Sequence, residues 1–303
     1  MSIENITTIG SLLREVWRYE PDILKLIFEF LFVPRYEDKE GQCRYVIALP
    51  IPGTTNIGYK SFSECEKLQL VTIHDSVTTI CYRAFQQCSS LKSVTIPNSV
   101  TTIGNHLFSG CSSLKSVTIP NSVTTISYLA FQQCSSLKSV TIPNSVTTIG
   151  ESAFSGCSSL QSVSIPNSVT TISHYAFQRC SSLKSVTIPN SVTIIGESAF
   201  KQCSSLKSVT ITNWVTYIDK SAFYLCSSLQ SVIILNSIIT IRSSAFSGCS
   251  SLQSISIPNS VTTIDRSAFS QCKKLNQASI PKHLEKRVRE LEVFPEHTKI
   301  IVR

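Results

Sequence analysis

Along most of this chain the apolar positions follow one spacing that restarts every 23 residues. Within residues 137–159 they are Leu137, Val140, Ile142, Val146, Ile149, Ala153, Phe154 and Cys157, with polar or turn-forming residues between them. The first part alternates. Val140 and Ile142 point to one side and Ser139 and Thr141 to the other, as a strand requires. Its β-branched content suits a strand, and Pro143 ends it by withholding a ladder donor. Val146 and Ile149 stand three apart, which predicts a turn and a very short second extended piece. The next position holds Gly104, Ser127, Gly150, Ser173, Gly196, Asp219 and Asp265 in successive repeats, with Cys81 and Arg242 as exceptions. Gly, Ser and Asp are helix N-cap residues. The spacing therefore predicts a helical turn that brings Phe154 and Cys157 to one side at i, i+3.

The period does not slip. Cysteines stand at 65, 88, 111, 134, 157, 180, 203, 226, 249 and 272, each with a phenylalanine three residues before it, from Phe62 to Phe269. Fixed self-similarity at this length marks a solenoid in which each repeat is one turn of a spiral. A single repeat has no walls against which to bury its apolar side chains, worth about 1.5–3 kcal/mol each when fully buried. Ordering its backbone costs about 1–2 kcal/mol per residue. A lone repeat should not fold, and a stack of them should.

The motif LxxVxIPxSVxxIxxxAFxxC, running from Leu68 to Ile280, resembles the BspA-like class of leucine-rich repeats. The resemblance implies an α/β repeat solenoid, a leucine-rich-repeat arc. Its parallel β-sheet would line the concave face, with short strands or helical turns opposite. Ser99 and its equivalents stand where commoner leucine-rich repeats run an asparagine ladder. Three regions follow: a helical N-terminal cap or docking segment (1–45), the repeat solenoid (46–272) and a C-terminal cap (273–303).

The two ends depart from the repeat. Leu12, Leu13, Val16 and Trp17 mark one amphipathic helix, and a second begins at Pro21 with apolar residues around most of its circumference. It reads as a cap over the first coil or as a docking helix. Pro21, Ile23, Leu24, Ile27, Phe28 and Leu31 are similar to the opening helix of an F-box, which implies a Skp1-type ubiquitin-ligase adaptor as partner. At the other end, residues 283–294 read as a helix with Leu284, Val288 and Leu291 on one side, and TKIIV as a terminal strand.

The net charge of +8 is unevenly spread, −2 over residues 1–45, +6 over 46–272 and +4 over 273–303. This density, with few arginines, excludes the usual nucleic-acid footprint. Ten of the twelve cysteines fill one inward position per coil, which favours buried free thiols acting as small hydrophobes over disulfides. Such thiols suit a reducing compartment. The first residues do not read as a secretory signal, and residues 23–33 are too short and too charged to span a bilayer. A cytoplasmic or nuclear location is expected, without membrane insertion.

No chemistry stands out. The five histidines show no metal-ligand spacing, the seven acids of residues 46–272 do not recur in pairs, and no phosphate-binding glycine loop or GxSxG is present. No cofactor, metal or catalytic residue is expected. What recurs is polar: Ser93, Thr95, Ser116, Thr118, Ser139 and Thr141 on the concave face, edged by Lys92, Lys115, Lys138, Lys184 and Lys207. The seventh and eighth coils break this pattern with Trp214, Tyr217, Tyr224, Ile233 and Ile239, candidate contacts for a protein partner, since Trp and Tyr dominate binding hot spots. The expected function is a non-catalytic protein-interaction module. An F-box-like substrate receptor of a ubiquitin ligase and a surface adhesion or ligand-binding repeat protein are the alternatives.

Overall fold

The computed structural model describes residues 45–49 and 55–303. The helices expected within residues 11–33, and with them the F-box-like segment, lie outside the described residues. The chain winds as a parallel-strand solenoid. Its longer strands run from Tyr45–Leu49 through Leu68–Ile73, Ser93–Thr95 and onward to Ser231–Ile234 as one nine-stranded parallel sheet. Ser254–Ser256, Gln277–Ile280 and Lys299–Val302 follow as a separate three-stranded sheet. Neighbouring strands pair one repeat apart, as Ser139↔Ser162 and Thr141↔Ser164 show. Eight of the two-residue strands form a second sheet, from Thr102–Ile103 to Thr263–Ile264, and Asn56–Ile57 pairs separately with Thr79–Ile80. These short strands are the second extended piece expected from the Val146–Ile149 spacing.

The predicted helical turn is not there. Among the described residues helix is confined to Lys282–Leu284 and Glu285–Glu290, so the fold is nearly all strand and turn rather than an α/β alternation. The cause is backbone conformation at two positions flanking each phenylalanine. Residues such as Leu129, Gln133, Ser152, Tyr175 and Arg179 have φ between 55° and 59°, in the left-handed region that interrupts a right-handed helix. Gly156 takes the same place at φ 77° without the Cβ cost. The chain accepts these conformations because they turn backbone groups toward the next coil. Phe154 N–H donates to Ala176 at 2.8 Å and Gly156 N–H to Gln178 at 2.7 Å. A helix would have closed these bonds within the coil.

The core is a column. Phenylalanines 62 to 269 stack ring on ring, with centroids 5.1–5.7 Å apart and planes within 16° of parallel. Beside them Leu, Val, Ile, Ala and Cys of every coil are buried. The eleven described cysteines are free thiols, nine of them buried. They do more than fill space: each buried thiol donates to a phenylalanine carbonyl of the preceding coil, at 2.9–3.3 Å. Burial pushes the Cys157 and Cys226 thiols up to about 12.

The serine of IPNS forms the ladder expected where asparagine commonly runs. Ser99, Ser122, Ser145, Ser168 and Ser191 each donate to a valine carbonyl one coil back, at 2.5–2.7 Å. At the C-terminus the terminal strand is present and the expected helix is shorter than residues 283–294, its α-helical part being Glu285–Glu290, with Leu284 and Val288 buried and Leu291 packed against the core. This cap completes what the last coil leaves open. His283 Nε2 meets the Val261 carbonyl at 2.8 Å as the ladder's final rung, and Arg287 donates to Ile264 O, Thr298 to Leu275 O and Arg303 to Ile257 O. Phe294 extends the ring column, 4.9 Å from Phe269.

Candidate interaction surface

Each coil presents three sides: the longer strand, the two-residue strand, and the turn that carries the phenylalanine. On the first, period-2 alternation turns Val and Ile inward and leaves Thr95, Ser116, Thr118, Ser139 and Thr141 exposed, with Ser93 half-buried. Lys115, Lys138, Lys184 and Lys207 stand exposed at the head of their strands, while Lys92 donates to Gln69 at 3.1 Å. The tail of each strand carries a second polar row not anticipated from the sequence: Asn98, Asn121, Asn144, Asn167, Asn190 and Asn213 are all exposed. Its signal was plain in the recurring IPN, which reads as turn chemistry and hides that the turn projects an amide from every coil.

The seventh and eighth coils interrupt this surface. Trp214 is 61% exposed, Ile233 51% and Ile239 50%, the largest exposed apolar side chains apart from three tyrosines near the first coils. Trp214 occupies the ladder position of Ser191, so no side chain there donates to the coil below; Ser237 resumes the ladder, donating to Val215 O at 2.7 Å. Ser260 Oγ, one coil further, is buried without a partner. The long-strand sheet itself breaks between Ser231–Ile234 and Ser254–Ser256. These irregularities fall together.

The candidate residues do not form one patch. Trp214 and Ile239 lie at the corner between the two sheets, where Ile239 N–H donates to Thr216 O at 2.7 Å. Ile233 lies round the edge on the long-strand sheet, paired with Thr210. Tyr217 belongs to the short-strand sheet, where register sets it beside Ile194, a half-buried isoleucine at a position that is threonine in most other coils. The Arg242 guanidinium lies 5.4 Å over the Tyr217 ring and bonds Asp219 on its other side. Tyr224 is on the phenylalanine turn, beneath the Lys201 ammonium. The structure thus groups Trp214, Ile239, Tyr217 and Ile194 along two adjoining sides, with Ile233 at their margin and Tyr224 apart.

Among the described residues no group of three or more His, Cys, Asp or Glu is placed to hold a metal, and no helix is long and apolar enough to cross a membrane. A stack of parallel strands with a Leu–Val–Ile–Phe–Cys interior defines the class as a leucine-rich-repeat solenoid. The family description BspA type Leucine rich repeat region matches residues 55–184 and 170–291, and the chain belongs to that family. Solved structures similar to it include a leucine rich cell surface protein of Faecalibacterium prausnitzii, 34% identical over 74% of this chain and 76% of that one, TM-score 0.49. A leucine-rich repeat protein of Bacteroides ovatus is 28% identical over 85% of this chain and 92% of its own, TM-score 0.43. The pneumococcal vaccine antigen PcpA shares the fold at 18% identity, over 88% of this chain and 91% of its own, TM-score 0.53. A search of curated proteins finds no match.

Proposed function

We propose that this chain is a non-catalytic interaction scaffold whose protein partner docks at the seventh and eighth coils, on Trp214, Tyr217, Ile239 and Ile233, with Tyr224 on a neighbouring side. One observation carries the reading. Trp214 gives up a ladder hydrogen bond that five preceding coils keep and stands 61% exposed, so the substitution serves neither the core nor the backbone. Exposed apolar groups on a polar surface mark contact sites, and Trp and Tyr are the usual hot-spot residues. The strand face of Ser93, Thr95, Ser116 and Thr118, taken as the concave side of the arc, frames this site with polar groups that contribute specificity more than affinity.

The test compares wild type with a Trp214→Ala, Tyr217→Ala double variant. Both side chains leave the ring column untouched, so circular dichroism and the melting temperature should stay close to wild type. Partner recovery, quantified by mass spectrometry after mild crosslinking, should fall about tenfold or more, the loss expected for one or two hot-spot residues. Equal recovery by the double variant refutes the site.

A further inference from the structure

The long-strand side carries charge of one sign. Between residues 88 and 264 the chain has only three carboxylates, Glu151, Glu197 and Asp219, and all three belong to the segment that follows the short strand. Every charged group at a strand of that stretch is a lysine: Lys92, Lys115, Lys138, Lys184 and Lys207, with Gln161 interrupting the row. Parallel strands stand about 4.8 Å apart, so the row advances by that step from coil to coil, with a double step at Gln161. Beside Lys115, Lys138, Lys184 and Lys207 stand two exposed hydroxyls of the strand and one exposed asparagine of the turn, while Ser93 beside Lys92 is half-buried.

The same side also has a depression. Strands Ser185–Thr187 and Ser208–Ile211 pair only at Ser185↔Ser208, whereas their neighbours pair at three or four positions. Beside this joint lies a shallow depression of about 530 Å³ lined by Asn167, Thr187, Asn190 and Thr210 together with the apolar Ile188 and Pro189. Its walls are polar and apolar in about equal part, and the two lysines that head its strands are Lys184 and Lys207.

We propose that this side binds an acidic polysaccharide, a chain with one carboxylate per sugar ring, laid across the coils so that its carboxylates meet the lysines and one ring occupies the depression. The hydroxyls, amides and small apolar groups of this side select this ligand over other polyanions. An extended acidic peptide presents same-side carboxylates every second residue, about 6.6 Å apart, out of step with strands about 4.8 Å apart. A single-stranded nucleic acid gains much of its affinity by stacking bases on aromatic rings, and the longer strands from Ser93–Thr95 to Ser231–Ile234 carry none. A sugar ring offers hydroxyls at its rim, and serine, threonine and asparagine are their natural partners. This surface adjoins the aromatic corner, Thr210 pairing with Ile233, but the lysine variants leave Trp214 and Tyr217 in place, so each assignment is tested on its own.

The experiment measures binding of the full chain to polygalacturonate at low salt, beside dextran, poly-L-glutamate and poly(U). The comparison variant replaces Lys115, Lys138, Lys184 and Lys207 with glutamine, which coils already carry at this position as Gln161, Gln230 and Gln253. Wild type should bind polygalacturonate more tightly than poly-L-glutamate or poly(U) and leave dextran unbound. The fourfold variant should melt at the wild-type temperature and bind about six-hundredfold more weakly, since each lysine near an anionic array contributes about fivefold. Lys184→Gln with Lys207→Gln alone, a lighter change, should account for about half of that loss on a logarithmic scale. The proposal is overturned if wild type fails to bind polygalacturonate, if poly-L-glutamate or poly(U) binds equally well, or if both variants bind as wild type does.

Discussion

Phe154→Ala is the sharpest probe of the column. The ring is fully buried and lies between Phe131, 5.3 Å away and 6° from parallel, and Phe177, 5.5 Å away and 1° from parallel. Emptying a buried aromatic site costs about 3–5 kcal/mol. Two ring pairs are lost at once, each worth about 0.5–1.5 kcal/mol beyond burial, which sets the expectation near the upper end. The neighbouring coils cannot close the gap, because backbone bonds such as Phe131 N–H to Ala153 O hold them at their own spacing. Phe294→Ala is the internal control. It has one stacked partner in the described structure and is 9% exposed, so its penalty should be smaller by about one ring pair. Urea unfolding followed by circular dichroism measures both. In a solenoid each coil contacts only its neighbours, so the weakened central coil should also broaden the transition of Phe154→Ala. A midpoint and slope equal to wild type would refute the assignment of the rings to the interior.

Other consequences are open to measurement. Burial raises the Cys157, Cys226 and Cys272 thiols from 9.0 to about 12, and Cys134, Cys180 and Cys203 well above their ordinary value. A raised acid favours the folded state while protonated, so stability should hold below about pH 9 and fall steadily from there toward pH 12. An alkaline titration followed by circular dichroism checks this, and a flat profile to pH 11 would contradict it. Under native conditions the nine buried thiols should resist a thiol reagent and Cys81 should react, whereas denatured protein should titrate twelve. Fewer than twelve without reductant would show disulfides. Ser145→Ala removes a ladder bond of 2.7 Å and should cost about 1 kcal/mol, while Ser260→Ala removes a buried hydroxyl without a partner and should cost nothing or stabilise. Trp214→Ser returns the missing rung and should raise the melting temperature while abolishing partner binding, a separation of stability from function.

The interior was legible because every coil states it again. Val140, Ile142, Phe154 and Cys157 are apolar in a polar context, and ten repetitions remove the ambiguity of any one. The conformation of the phenylalanine turn was not legible in the same way. Phe154 and Cys157 at i, i+3 fit a helical turn as well as they fit the left-handed turn observed. What decides between them is the bond from Gly156 N–H to Gln178 O, a partner 22 residues away. Glycine at 110, 156 and 248 was the available hint, diluted by Gln133 and Arg179 at the same position in other coils. Likewise nothing in a lone cysteine reveals that its thiol donates to a carbonyl one coil back. The candidate residues of coils seven and eight were visible as departures from the pattern. Their division among different sides required the register that sets Tyr217 beside Ile194 and Ile233 beside Thr210.

The constant offset between coils has a consequence for how such a chain changes length. Ser139 meets Ser162 as Ser116 meets Ser139, and each joint offers the same donors and acceptors above as below. Removing or adding one whole 23-residue unit leaves two ends that still fit, whereas a deletion of 22 or 24 residues turns every following side chain to the wrong side. Near-identical units are also the sequences most prone to misalign when genes recombine. The number of coils is therefore the most easily altered property of this protein. Its reach can lengthen or shorten in steps without a new fold, while the segment after the last coil, from Lys282 to Arg303, must stay as it is.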